Sequence, residues 1–318
     1  MLAGLLYLGS GGGLMVLYVL RRKLSTHVAE TPLQRPDVPW LAGAVLFGGV
    51  LGPLLAMMGL RMIPASTSSL LLNMEGVFTA GLAWFVFHEN FDRRIAVGMV
   101  FILAGSLVLS WQGNAEAAPL LGSVLVVAAC LCWGLDNNFT QKVSASDPFQ
   151  VTAIKGLVAG AFNVSLALAL GNPLPALSTA ALSAVVGVFG YGISLACFVL
   201  ALRQIGTART GAYFALAPFI GAILSVLVLG EPASPALLAA GLLMGLGVWI
   251  HLTERHDHKH VHPYLKHSHG HVHDEHHEHA HAPGVDVTEP HTHEHEHQPM
   301  THTHPHLPDI HHRHSNTA

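Results

Sequence analysis

The sequence predicts an all-α polytopic membrane protein, and three observations carry that expectation. Of its 318 residues, 51% are hydrophobic and 11% charged, and the charges crowd into short stretches between long apolar runs. Nine of those runs approach or exceed the length a helix needs to cross the hydrocarbon, about 20 residues. Two parts of the chain also resemble each other at an offset of 142 residues. A soluble domain of this length intersperses its charges, because its helices need a polar face.

The runs fall at 2–20, 38–60, 64–87, 94–111, 119–139, 149–170, 179–200, 207–229 and 234–252, bounded by Pro, Gly or charge. The first opens "MLAGLLYLGS" without the basic stretch of a secretory signal. Its "GSGGG" (9–13) lacks the Lys-Ser/Thr of a phosphate loop. With Gly48/Gly52, Gly156/Gly160 and Gly241/Gly245 it predicts close helix packing. The third run holds "LLLNMEGVFTAG" (70–81), with Asn73 and Glu75 among apolar neighbours. The fifth carries Cys130 and Cys132, which point to different faces of a helix and form no shared metal site, and then Asp136, Asn137 and Asn138. Lys155 lies in the sixth, and Tyr213 and Pro218 in the eighth, where the proline should kink the helix and free a carbonyl. Residues 253–318 are polar and hold most of the 25 histidines, which predicts a tail without fixed structure.

Basic residues in short loops mark the cytoplasmic side. With the loop after the first run inside, the inner loops collect Arg21, Arg22, Lys23, Arg35, Arg93, Arg94, Lys142, Arg203 and Arg209, and the outer ones only Arg61. This predicts a multi-pass protein of the inner or plasma membrane with a cytoplasmic tail.

At the 142-residue offset, "GLRMIPAST" (59–67) aligns with "ALRQIGTAR" (201–209), and "FTAGLAWFVFHE" (78–89) with "IGAILSVLVLGE" (220–231). The paired spans are the third and the eighth, an odd offset of five, so the copies insert in opposite senses, which is a transporter architecture with its site near the midplane. The expected organisation is a first repeat of four helices (1–111), a second of five (119–252) and the tail (253–318). The first helix of a ten-helix pattern is missing, so one more is expected upstream of Met1.

The stretches "LLYLGSGGGL" (5–14), "SLLLNMEGVFTAGLAWFVFHE" (69–89), "CWGLDNNFT" (132–140) and "ARTGAYFALAPFIGAILSVLVLGE" (208–231) resemble EamA-like permeases of the drug/metabolite transporter superfamily. The resemblance implies ten helices in two inverted repeats and export or exchange of small metabolites. Glu89 and Glu231, which close the fourth helix of each repeat, are its most family-like residues. Both read as structural, because they sit at helix ends.

An ionisable group inside a span is a functional candidate, since burying it costs roughly 2.5–3.5 kcal/mol on insertion scales. Glu75, near the centre of its run, is the first. Desolvation there disfavours the charged form and makes it a candidate proton carrier. Asp136 and Lys155 reach similar depth in one hairpin, where they either neutralise each other or join Asn137 and Asn138 in a polar cluster facing a cavity. Interhelical hydrogen bonding accounts equally well for Asn73 and Tyr213.

The tail runs "HDHKHVHPYLKHSHGHVHDEHHEHAHAPG" and then "HTHEHEHQPMTHTHPHLPDIHHRH". His-x-His in an extended chain aligns imidazoles on one side, and imidazole suits Zn, Ni, Co and Cu. His256, His258, His260, His267, His269, His271, His273, His293, His295, His297, His311 and His312 are therefore expected to bind such metals with little selectivity. Only His27 and His88 lie outside the tail, so the spans offer no His-based metal path. The expected function is secondary transport of a small organic metabolite or drug, with proton coupling or exchange and no required cofactor. The alternatives are a divalent-metal exporter and a metal-sensing membrane protein. The expected partners are lipid, a small substrate and divalent metals, with a homodimer left open and no nucleic acid. No nucleophile–base pair points to an enzyme.

Overall fold

The computed structural model describes residues 1–24, 31–87, 93–110, 117–253, 257–262, 265–271, 291–297 and 300–305. Helix α1 (Leu2–Leu24) ends on Arg21, Arg22 and Lys23, cations at the negative end of its dipole. A 3-10 turn (Arg35–Asp37), α2 (Val38–Ala44), a π-helical stretch (Val45–Leu51) and α3 (Gly52–Leu60) form one rod. Pro64, in extended conformation, starts α4 (Ala65–Leu71). Helix α5 (Met74–Phe85) follows a break at Leu72 and Asn73.

Helices α6 (Arg93–Ser110) and α7 (Ala117–Lys142) complete the first half of the bundle and open the second. Asp147 caps α8 (Pro148–Ala169), its Oδ1 accepting from the Phe149 and Gln150 amides at 2.8 and 3.3 Å. Helix α9 (Leu177–Val186), a second π-helical stretch (Gly187–Ile193) and α10 (Ser194–Phe214) again form one rod. Helix α11 (Ala217–Leu229) stops at Gly230, which takes the left-handed conformation (φ 70°) that a glycine reaches without a steric cost. Helix α12 (Pro235–Leu252) ends the bundle.

Among the described residues, five helices are long and apolar enough to cross a membrane: Leu2–Leu24, Arg35–Leu60, Leu120–Lys142, Pro148–Ala169 and Leu177–Ile205. Arg94–Leu109, Ala217–Leu229 and Pro235–Ile250 are shorter apolar helices. Large side chains such as Leu107, Leu227 and Leu242 are exposed, the outward apolar face that lipid requires. The chain is a multi-pass, all-α membrane protein.

The structure departs from the sequence expectation between the seventh and eighth runs. A loop was expected between 200 and 207, yet α10 runs through it and the break falls at Ala215 and Leu216. The first copy stops its helix with Pro64; the second has Gly206 at the equivalent position and keeps its amide donor. Within the tail the described residues form only short stretches, β1 (Asp257–His262), β2 (Leu265–His271), β3 (His291–His297) and β4 (Met300–Pro305). Strand β1 pairs antiparallel with β4, and β2 with β3. Alternation of His with other residues has the period of a strand.

Two compact units emerge, each drawing on both halves of the sequence: Met1–Ala42, Thr140–Gln204 and Asp257–His314, and Gly43–Phe139, Ile205–His256 and Ser315–Ala318. In the first, α1 lies against α8 at glycine positions. A Cβ on Gly156 would meet the Gly11 amide at 2.6 Å, and one on Gly160 the Leu8 amide at 2.6 Å. In the second, Leu71, Met74, Ile102, Val126 and Met244 form the core. Helices α6 and α12 touch there at Gly247, where a Cβ would meet the Gly98 carbonyl at 2.6 Å. The expected contact glycines Gly241 and Gly245 face only ordinary neighbours at 3.8 Å.

Candidate transport cavity

Inside the second unit, polar side chains gather where two helices are interrupted. At the first break the Asn73, Glu75 and Gly76 amides donate to the Leu70, Leu72 and Asn73 carbonyls, three residues back rather than four. The helix restarts there, so Glu75 occupies the first turn of α5. The sequence places it mid-span; the structure places it at the start of a half-helix, where the peptide dipoles favour a negative group. At the second break the Leu216 and Phe219 amides donate to Tyr213 and Leu216, both at 3.2 Å. Pro218 stands in the first turn of α11, and its carbonyl accepts the Ser69 hydroxyl at 2.7 Å.

Both breaks border one cavity of about 240 Å³. Ser69, Leu72, Glu75, Gly76 and Thr79 line it from α4 and α5, while Gly211, Phe214, Ala215, Ala217 and Pro218 line it from α10 and α11. Helix α7 contributes Asn137, whose amide donates to Glu75 Oε1 at 2.8 Å and Thr79 Oγ1 at 3.0 Å. Asn138 fastens the same helices from another side, donating to the carbonyls of Thr79 at 3.0 Å and Gly134 at 2.8 Å. Gly134 permits this approach, since a Cβ there would meet Phe78 Cβ at 2.9 Å.

The other expected site residues lie elsewhere. Asn73 is buried and donates to the Leu70 carbonyl at 3.1 Å, and its Oδ1 has no hydrogen-bond partner. Asp136 is buried beside Gly48, where any side chain would overlap its carboxylate. Next to it the Trp133 indole donates to the Gly48 carbonyl at 3.1 Å, within the π-helical stretch. Lys155 is buried in the first unit and donates to Thr140 Oγ1 at 2.8 Å. Tyr213 is 58% exposed and does not line the cavity.

Glu231 accepts from the Ala65 and Ser66 amides, each at 2.8 Å, and so caps α4. The Ser66 side chain, with those amides, holds its carboxyl below the usual range against the opposing effect of burial. His27, His88, Glu89, His256, His273, His311 and His312 lie outside the described residues. His258, His260, His267, His269, His271, His293, His295 and His297 fall on the strands. Among residues with described side chains, no three His, Cys, Asp or Glu groups are placed to share a metal.

The sequence reading missed Ser69, Thr79 and Phe214. Thr79 was the most accessible of these, being four residues from Glu75 on the same helix face.

Two interrupted helices, one from each half of the chain, meet at a small, mainly apolar cavity that holds a few polar side chains, an arrangement found in transporters. The chain belongs to the EamA-like transporter family, which matches residues 2–111 and 120–253. It is 30% identical over 254 residues to an uncharacterized transporter of Methanothermobacter thermautotrophicus, covering 75% of this chain and 74% of that one. It is 27% identical over 209 residues to a probable amino-acid metabolite efflux pump of Salmonella typhimurium, covering 60% of this chain and 68% of the relative. A solved crystal structure shares the fold, with a TM-score of 0.61 over 79% of this chain and 88% of that one, at 19% identity. The protein is therefore a transporter, as its family and named relatives are, and not an enzyme.

Proposed function

We propose that this transporter exports or exchanges a small organic metabolite across the cell membrane, with Glu75 as the group that takes up and releases a proton during the cycle. The observation that carries this reading is the position of Glu75, in the cavity wall, in the first turn of α5 and held by Asn137 at 2.8 Å. A volume of about 240 Å³ lies below the roughly 300–1,000 Å³ of pockets for drug-sized ligands, which favours a metabolite over a drug. The lining supplies one carboxylate, one amide and two hydroxyls against an apolar wall of Leu72, Phe214 and Pro218. That set suits an amino-bearing solute, in keeping with the efflux role named for the Salmonella relative. It contains no His, Cys or Met, so it favours an organic solute over a transition metal. The excess of basic residues in one set of loops favours a cytoplasmic tail.

The test is transport of labelled amino acids and small amines by the protein in sealed vesicles, with and without an imposed pH gradient. Wild type should respond to the gradient. Glu75→Gln keeps the shape and the hydrogen bond but cannot titrate, so it should insert normally and lose gradient-driven transport. Wild-type rates in Glu75→Gln on both sides of neutral pH would end the proton-carrier reading.

A further inference from the structure

The cavity lining draws on the same positions of the two aligned stretches of sequence. Ser69 and Gly211, Glu75 and Ala217, and Gly76 and Pro218 all line it, and the members of each pair lie 142 residues apart, the offset at which those stretches match. The chemistry differs from one member to the other. Where α4 and α5 present a hydroxyl and a carboxylate, α10 and α11 present Gly211 and Ala217. Asn137 and Thr79 add their polar groups beside Glu75. One wall therefore suits a polar group and the other an apolar one.

Two glycines in this lining lack the usual reasons for a glycine. Neither has a positive φ, which among the described glycines is found only at Gly171 and Gly230. Neither is pressed by a neighbouring helix. A Cβ on Gly76 would have the Gly211 carbonyl oxygen as its nearest neighbour, at 3.9 Å, and one on Gly211 would meet nothing within 4 Å. At Gly134, by contrast, a Cβ would meet Phe78 Cβ at 2.9 Å. Gly211 is nonetheless buried, so the open space before it is the cavity and not the outer face of the bundle. Glycine weakens a helix interior relative to alanine, and here no turn or contact asks for it.

We propose that Gly211 and Gly76 are the specificity-determining residues of this cavity. The solute is an amino acid with an apolar side chain. Its amino group lies at Glu75, and its side chain fills the space the two glycines leave open, against Phe214 and Pro218. The position matched to Gly211 holds Ser69, whose hydroxyl reaches the Pro218 carbonyl at 2.7 Å; with no side chain at 211, that room goes to the solute. This inference rests on the amino-solute reading given above and adds which residues limit the solute's bulk.

Exchange of labelled glycine and leucine by the protein in sealed vesicles, run without a pH gradient, reads solute size apart from the proton step. Gly211→Val should lower the leucine-to-glycine ratio at least about tenfold, since one methylene in an apolar pocket discriminates by about 10–200-fold. Gly211→Ser and Gly76→Ala should lower it in the same sense while glycine exchange persists. Gly81→Ala, on α5 outside the lining with only Met99 Cε at 3.6 Å, should leave the ratio unchanged. Gly211→Ala and Gly76→Ala should melt in detergent no lower than wild type, as residues without a packing role would. Unchanged ratios in the lining variants, lowered melting in both alanine variants, or a wild type that carries glycine but not leucine would each overturn the inference. A wild type that carries neither would overturn the amino-solute reading and this inference with it. One that exchanges leucine but ignores an imposed pH gradient would end the proton-carrier reading alone, and a lowered ratio in the lining variants would then still support the glycines' role.

Discussion

Glu75 and Asn137 form the contact on which the cavity turns, since a single amide reaches both the Glu75 carboxylate and the Thr79 hydroxyl. A hydrogen bond to a charged group contributes about 1.5–3 kcal/mol, so Asn137→Leu should slow transport about tenfold or more while leaving membrane insertion unchanged. Vesicle uptake alongside a surface-expression assay checks both halves of that expectation. Glu231 makes a prediction of another kind, because its partners lower its pKa in the folded protein. A depressed carboxyl stabilises the fold above its ordinary titration range, and that contribution disappears as pH falls through the folded value. Glu231→Gln should therefore melt below wild type at neutral pH, by a cap's worth of about 0.5–1 kcal/mol after solvent screening. In acid the two melting curves should converge, which thermal unfolding at a series of pH values would show.

Helices α1 and α8 meet through glycines rather than through interlocking large side chains, and the backbone contact at Gly11 and Gly156 leaves no room for a Cβ. Gly156→Leu should cost about 1–3 kcal/mol through overpacking, measurable as a lower melting temperature in detergent. Gly241→Ala, which meets only Leu70 at 3.8 Å, should be nearly neutral. The sequence marked the glycines of α1 and α8 as close-packing positions without saying that the two helices meet each other, and it could not separate Gly245 from Gly247, which lie two residues apart on the same helix. It showed Glu75, because a charge stands out in an apolar run, and Asn137, because it sits among polar neighbours. It hid Ser69 and Thr79, because a hydroxyl scarcely alters the hydropathy of a helix. The break at Leu72 and Asn73 was also out of reach. No proline or glycine marks it, and the change is one of backbone register from four-residue to three-residue closures.

Across the whole chain, the repeat read from a few matched residues reappears as backbone geometry. The π-helical stretches Val45–Leu51 and Gly187–Ile193 lie 142 residues apart at both ends, the offset at which the sequences align. The helix breaks at 72–73 and 215–216 lie 143 apart. These features recur although few side chains do, so the repeat survives as a pattern of helix irregularities. The copies differ where Pro64 ends one helix and α10 runs on through Gly206. Arg203, Thr207 and Thr210 are all buried along that stretch, which fits a helix held in the interior and does not fit a loop. Gly206→Pro tests the difference, since it gives the second copy the first copy's punctuation. A proline inside a helix removes one backbone hydrogen bond and clashes with the preceding turn, at a cost of about 3 kcal/mol. It also pushes Ile205 out of helical conformation. The variant should melt well below wild type and transport slowly, with the loss concentrated in α10 by hydrogen exchange. Wild-type stability and rate in Gly206→Pro would mean that the chain turns at 206 as its copy turns at Pro64, and that the continuity of α10 is not a working feature of the transporter.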